Sequence, residues 1–186
     1  MAILRWIPLV LLGGFASLAS AAADDTPKGG ELTATATVTS KQGTRSMAFD
    51  VVGTNPLGLE QAQFFRRVLE EGGQQVLLNT IRGSGRGRIR LGAFEYPIDL
   101  VIAEKTKDGE RYSVVTARTM SYEEAQEGRP SVDYPFTIIV FDVPGFGKGE
   151  GRIFTKAALY VDEEGHIRAE QFEHDPGTLK DVKRLK

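Results

Sequence analysis

Residues 85–118 read GRGRIRLGAFEYPIDLVIAEKTKDGERYSVVTAR, and this stretch decides the fold class. Three runs with strand-like alternation, 85–92, 97–105 and 110–118, are separated by turn-forming residues. A four-residue turn over Ala93–Tyr96 sets Gly92 against Pro97 and Arg90 against Asp99. A turn at Asp108-Gly109 sets Val115 against Ile102 and Arg118 against Asp99. In that register Ile89, Leu91, Ile98, Leu100 and Ile102 share one apolar face. The other face carries a charged row, Arg90–Asp99–Arg118, with Arg86 and Arg88 further along. It also holds Val101, Ala103, Val114 and Thr116, so neither face suits free solvation. A sheet covered on both sides implies closure into a barrel, or a sandwich with a helix on one side.

Working outward, Leu32, Ala34, Ala36 and Val38 alternate with Thr33, Thr35, Thr37 and Thr39, and Met47, Phe49 and Val51 alternate after Gly43. These predict an opening hairpin. In the next segment Leu59, Ala62, Phe65, Val68 and Leu69 recur at helical spacing, and Gly72-Gly73 follows as a C-terminal stop. The expectation is an amphipathic helix over 59–71 packed on the sheet. Further strands are expected at 75–81, 136–143, 152–161 and 166–173, with one short helical turn in Ser121–Gly128. The fold class is therefore mainly β: an antiparallel meander of about nine strands closing into a barrel or sandwich, with one helix packed on it.

The N-terminal 23 residues, MAILRWIPLVLLGGFASLASAAA, combine Arg5, a short uncharged apolar core and Ala-x-Ala sites. That is the pattern of a secretory signal, and its apolar core is short for a membrane span. The expected organisation is a signal at 1–23, a polar lead-in at 24–30, one β-rich domain over 31–176 and a tail at 177–186. The predicted location is periplasmic or secreted. Cleavage would remove Arg5 and Trp6, the one tryptophan, leaving 22 basic residues against 25 acidic.

Composition narrows the chemistry. The chain has 186 residues and no cysteine, which excludes thiolate metal sites, iron–sulfur clusters, cysteine nucleophiles and disulfides. A formal charge of −2 argues against a general nucleic-acid surface. The glycine run Gly145, Gly147, Gly149, Gly151 resembles a phosphate loop only in composition, because a strand rather than a helix is expected after it. His166 and His174 lie eight positions apart, about 26 Å along one strand, too far for one metal to bridge. No G-x-S-x-G occurs. Glu123, Glu124, Glu127 and Glu150 have no spacing that marks acid–base work.

The candidate binding residues are Arg90, Arg118, Arg88 and Asp99, because guanidinium groups around a single carboxylate suit a carboxylate or phosphate ligand. No catalytic, metal or cofactor residue is assigned. The leading expectation is an exported, non-catalytic β-domain binding a small amphiphilic or anionic ligand. A structural or protein-interaction module of the cell envelope is the alternative, and a hydrolase using paired carboxylates comes third. Partners are then a small amphiphile or an envelope protein, with no nucleic acid and no membrane span after signal cleavage. Ligand binding requires an apolar inward face and a real cavity, whereas an interaction module requires a filled core and an exposed apolar patch above a few hundred Å².

Overall fold

The computed structural model describes residues 30–40, 43–118, 133–163, 167–171 and 177–185. The expected signal, most of the lead-in, the Ser121–Gly128 turn and both histidines lie outside the described residues.

The elements are β1 (Leu32–Ser40), β2 (Gly43–Val52), α1 (Leu59–Ile81), β3 (Gly87–Leu91), β4 (Phe94–Ile98), β5 (Leu100–Thr106), β6 (Gly109–Thr116), β7 (Phe136–Pro144), β8 (Gly149–Val161), β9 (Ile167–Gln171) and β10 (Gly177–Arg184). Nine strands form one antiparallel sheet in the order β4-β3-β2-β1-β10-β8-β7-β6-β5, and β9 pairs with β8 outside this path. The sheet curls into a half-barrel with the helix packed against it. It is built from two four-stranded meanders, β1–β4 and β5–β8, joined at two seams. One seam is covalent: β4 and β5 stand at opposite ends of the order yet are separated in the chain by Asp99 alone. A flat nine-stranded sheet would place its outer strands about 38 Å apart, so the one-residue link forces the curl. The other seam is β10, inserted between β1 and β8.

The two faces bury separate clusters. Inside the curl lie Phe49, Val51, Ile89, Ile98, Val101, Tyr112, Val114, Ile139, Phe141 and Leu179, with contributions from both meanders. On the opposite face of β5–β9, Leu100, Val115, Phe136, Ile138, Phe154, Ala157 and Leu159 pack against Ala62, Leu69, Leu77, Leu78 and Ile81 of α1. Strands β5–β8 are thus covered on both sides, as the mixed pattern of 97–118 implied.

Several expectations are corrected. The helix does not stop at 71. Gly73 takes φ 70° and kinks it, and the chain resumes the helix through 75–81, the segment expected to be a strand. A short apolar run does not distinguish strand from helix by pattern alone; burial of Leu77, Leu78 and Ile81 on the sheet decides it. The expected strand 97–105 breaks at Asp99 into β4 and β5. The segment 177–186 is not a tail, because 177–184 forms β10 in the interior of the sheet order, with Leu179 and Val182 buried.

The glycine run also finds its reason. Gly147 takes φ +86° in the β7–β8 connection, and a Cβ added to Gly149 would lie 1.8 Å from the Asp142 carbonyl oxygen. The backbones of β7 and β8 approach too closely there for a side chain. Gly149→Ala is therefore expected to destabilise the fold by about 1–3 kcal/mol through forced backbone shifts, read as a lower urea midpoint with an unchanged slope.

Candidate functional site

The predicted arginine row does not form, because the first turn is two residues shorter than expected and the second lies one residue earlier. Gly92-Ala93 is a two-residue turn in which Gly92 takes φ 60°, the left-handed conformation such hairpins use. Leu91 then faces Phe94 and Arg90 faces Glu95, not Asp99. The next hairpin turns at Lys107-Asp108, with Thr106 facing Gly109, so Val115 faces Leu100 rather than Ile102. The two registers differ from expectation by four and by two residues, and the row is lost.

The four candidate residues separate into three environments. Arg88 and Arg90 both reach Glu95, at 3.2 and 3.3 Å, on the outer surface of the β3–β4 hairpin. The hydrogen bonds from Arg88 and then Arg90 hold the Glu95 carboxyl below its ordinary value. Asp50 is the β2 partner of Arg90, so this surface alternates in sign across three strands. Such exposed pairs contribute about 0–1 kcal/mol. Arg118 is exposed, and its carbonyl accepts the Thr116 hydroxyl at 2.8 Å.

Asp99 is 3% exposed and serves the covalent seam. Its Oδ1 accepts the Gly83 N–H and its Oδ2 the Ala117 N–H, both at 2.7 Å. Its own N–H donates to the Val115 carbonyl at 3.0 Å, and its carbonyl accepts the Ser84 hydroxyl. One side chain thereby ties the segment after α1 to the end of β6 at the point where the sheet turns back on itself.

A charged cross-strand row does exist, one pattern unit further along the helix-covered face. Arg111 of β6 faces Glu104 of β5 and Asp142 of β7. Its guanidinium grips Asp142 in a fork, with Nε–Oδ1 at 2.7 Å and Nη2–Oδ2 at 3.1 Å, which raises the Arg111 pKa. Burial pushes the Glu104 carboxyl above its ordinary value of 4.5, with the Arg111 charge opposing the shift. A carboxyl raised on folding binds its proton more tightly in the native state. The contribution of Glu104 to stability should therefore fall as pH rises from the unfolded-state pKa through the folded one. Glu104→Gln is expected to gain stability relative to the parent chain as pH rises, measured as the difference in urea midpoints from pH 4 to pH 7. A difference that does not change with pH would mean that Glu104 is as solvated as in the unfolded chain.

A second cluster closes one end of the interior. Arg184 at the end of β10 reaches across the concave face to Glu110 and to the Tyr112 hydroxyl, the latter at 2.7 Å, while Tyr112 donates to Glu110 at 2.9 Å. β10 and β6 are three places apart in the sheet, about 14 Å if it were flat, so the contact exists because of the curl. Tyr112 stacks on Phe141 with ring centroids 5.6 Å apart. Burial, then the hydrogen bond to Glu110, pushes its phenol up to about 12. The alternation at Gly109–Thr116 gave the register positions of Glu110 and Arg111, but neither was marked out, because their partners lie 31 to 74 residues away.

Among the described residues the inside of the curl is packed with side chains. The space bounded by Leu32, Phe49, Val51, Phe141, Leu179 and Val182 has no room for a water-sized probe, and a crevice between α1 and the sheet, lined by Leu57, Phe65, Ile102, Ser113, Val115 and others, holds about 20 Å³. Sites for drug-sized ligands run to about 300–1,000 Å³. Among the described residues no group of three or more His, Asp or Glu is placed to hold a metal ion, and no helix is long and apolar enough to cross a membrane. Compared with known protein families, curated proteins and solved structures, the chain matches none.

Proposed function

We propose that this chain is an exported, non-catalytic β-domain that acts by contact with other macromolecules of the cell envelope rather than by carrying a small ligand. The observation behind this reading is the filled interior. The ligand hypothesis needs an apolar cavity inside the curl, and large side chains such as Phe49, Tyr112, Ile139 and Phe141 occupy that space. The arginines first considered as ligand contacts also favour this reading, since Arg88 and Arg90 share Glu95 and are largely exposed. Two aromatic side chains stand far out instead, Phe94 at 67% and Phe146 at 98% exposure. Isolated apolar groups of this kind serve as anchors in protein contacts when a partner desolvates them. Export rests on the N-terminal segment, with its Arg5, apolar core and Ala-x-Ala sites.

Native mass spectrometry of the mature protein purified from its own host tests the proposal. The expected spectrum shows the bare chain, beginning near Ala22 or Asp24, together with a macromolecular complex that dissociates on activation. A stoichiometric small-molecule adduct of a few hundred daltons would overturn it in favour of the ligand reading.

A further inference from the structure

β10 is held differently from the other strands. Thr33 and Thr35 of β1 face Lys183 and Lys180, and Gly149 and Gly151 of β8 face Val182 and Leu179. Both ladders therefore carry their extra residue in β10, and the bulge is centred on Asp181. That residue takes φ 57°, the one non-glycine with positive φ among the described residues. Asp tolerates this conformation better than most side chains but not without strain. Only Leu179 and Val182 contribute large apolar side chains to the interior. The strand is held in addition by two ion pairs to groups outside its own ladders. Lys148 in the β7–β8 connection meets Asp181 at 2.8 Å, and Arg184 meets Glu110 of β6. The first pair is more than half exposed on both sides, so dissolved salt screens it.

We infer that β10 is an exchangeable strand, and that the slot between β1 and β8 accepts the same segment from a second copy of this chain. The contacts are identical in either case, so the exchange is governed by the cost of releasing the resident strand. That cost is lowered where two ladders are interrupted at one strained residue. The slot is selective for this segment because an entering strand must place apolar groups at the positions of Leu179 and Val182. It must also offer between them a residue that accepts positive φ, as Asp181 does.

The test incubates the full chain with a synthetic peptide of residues 177–186 carrying an N-terminal fluorophore, followed by gel filtration. The peptide is expected to co-elute with the protein. Its incorporation should be about fivefold faster at 500 mM than at 50 mM salt, and the Lys148→Gln chain should reach that faster rate at low salt. A peptide carrying Leu179→Asp and Val182→Asp should not be retained. The unlabelled full chain, concentrated under the same conditions, should yield a species of doubled mass by light scattering. Equal retention of the doubly substituted peptide, rates indifferent to salt and to Lys148→Gln, failure of the labelled peptide to co-elute, or absence of the doubled mass would each overturn the inference.

Discussion

Asp99→Ala is expected to destabilise the domain by about 3–5 kcal/mol, a large part of the 5–15 kcal/mol typical of whole domains. The substitution removes two acceptors at once. The N–H groups of Gly83 and Ala117, each 2.7 Å from the carboxylate, are left unpaired at a buried corner, and each such orphan costs about 1–3 kcal/mol. Asp99→Asn should fall between, because the amide retains one acceptor oxygen but presents an N–H₂ to the second donor. Arg90→Gln and Arg118→Gln should each stay within about 0.5 kcal/mol. Arg90 shares Glu95 with Arg88, and Arg118 is exposed. Urea unfolding followed by circular dichroism separates these outcomes. Comparable, small losses for Asp99→Ala and Arg90→Gln would show that the covalent seam does not depend on the carboxylate.

The second seam should be more sensitive still. A chain ending at residue 176 is expected to show no cooperative thermal transition, since it lacks the strand that joins the two meanders. Removing β10 exposes the ladder edges of β1 and β8 and opens the interior cluster that includes Leu32, Phe49 and Ile153. Burial of Leu179 and Val182 alone contributes about 1.5–3 kcal/mol each, before any ladder hydrogen bond is counted. Leu179→Ala in the intact chain should cost about 2–5 kcal/mol, and loss of only Leu185 and Lys186 should be nearly silent. A sharp melt retained after deletion of 177–186 would mean that the two meanders hold together through Asp99 alone.

The fold class was legible because local alternation reports which faces are buried. Residues 97–118 carry apolar groups on both faces, and the structure covers both, with the interior on one side and α1 on the other. The helix was legible at its start from the spacing of Ala62, Phe65 and Leu69. Its continuation was not, because Gly72-Gly73 read as a stop and Gln75–Ile81 as a strand. The expected Arg90–Asp99–Arg118 row does not form. A two-residue error in a turn displaces every cross-strand partner beyond it, so Arg90 finds Glu95 and the three-strand row belongs to Arg111, with Glu104 and Asp142.

What the sequence by itself determined was therefore local: strands, the start of an amphipathic helix, apolar groups on both faces of 97–118, and the absence of cysteine chemistry. These follow from side-chain spacing and composition, which need no knowledge of distant neighbours. Tertiary structure alone decided the two seams. The curl requires β4 and β5 to meet at one residue, which turns Asp99 from a surface charge into a buried acceptor for Gly83 and Ala117. A charged C-terminal segment became a central strand because the place between β1 and β8 takes two apolar side chains and a ladder on each edge. Both depend on contacts between residues far apart in the chain, and the energy of such contacts is set by the closed shape and not by local pattern.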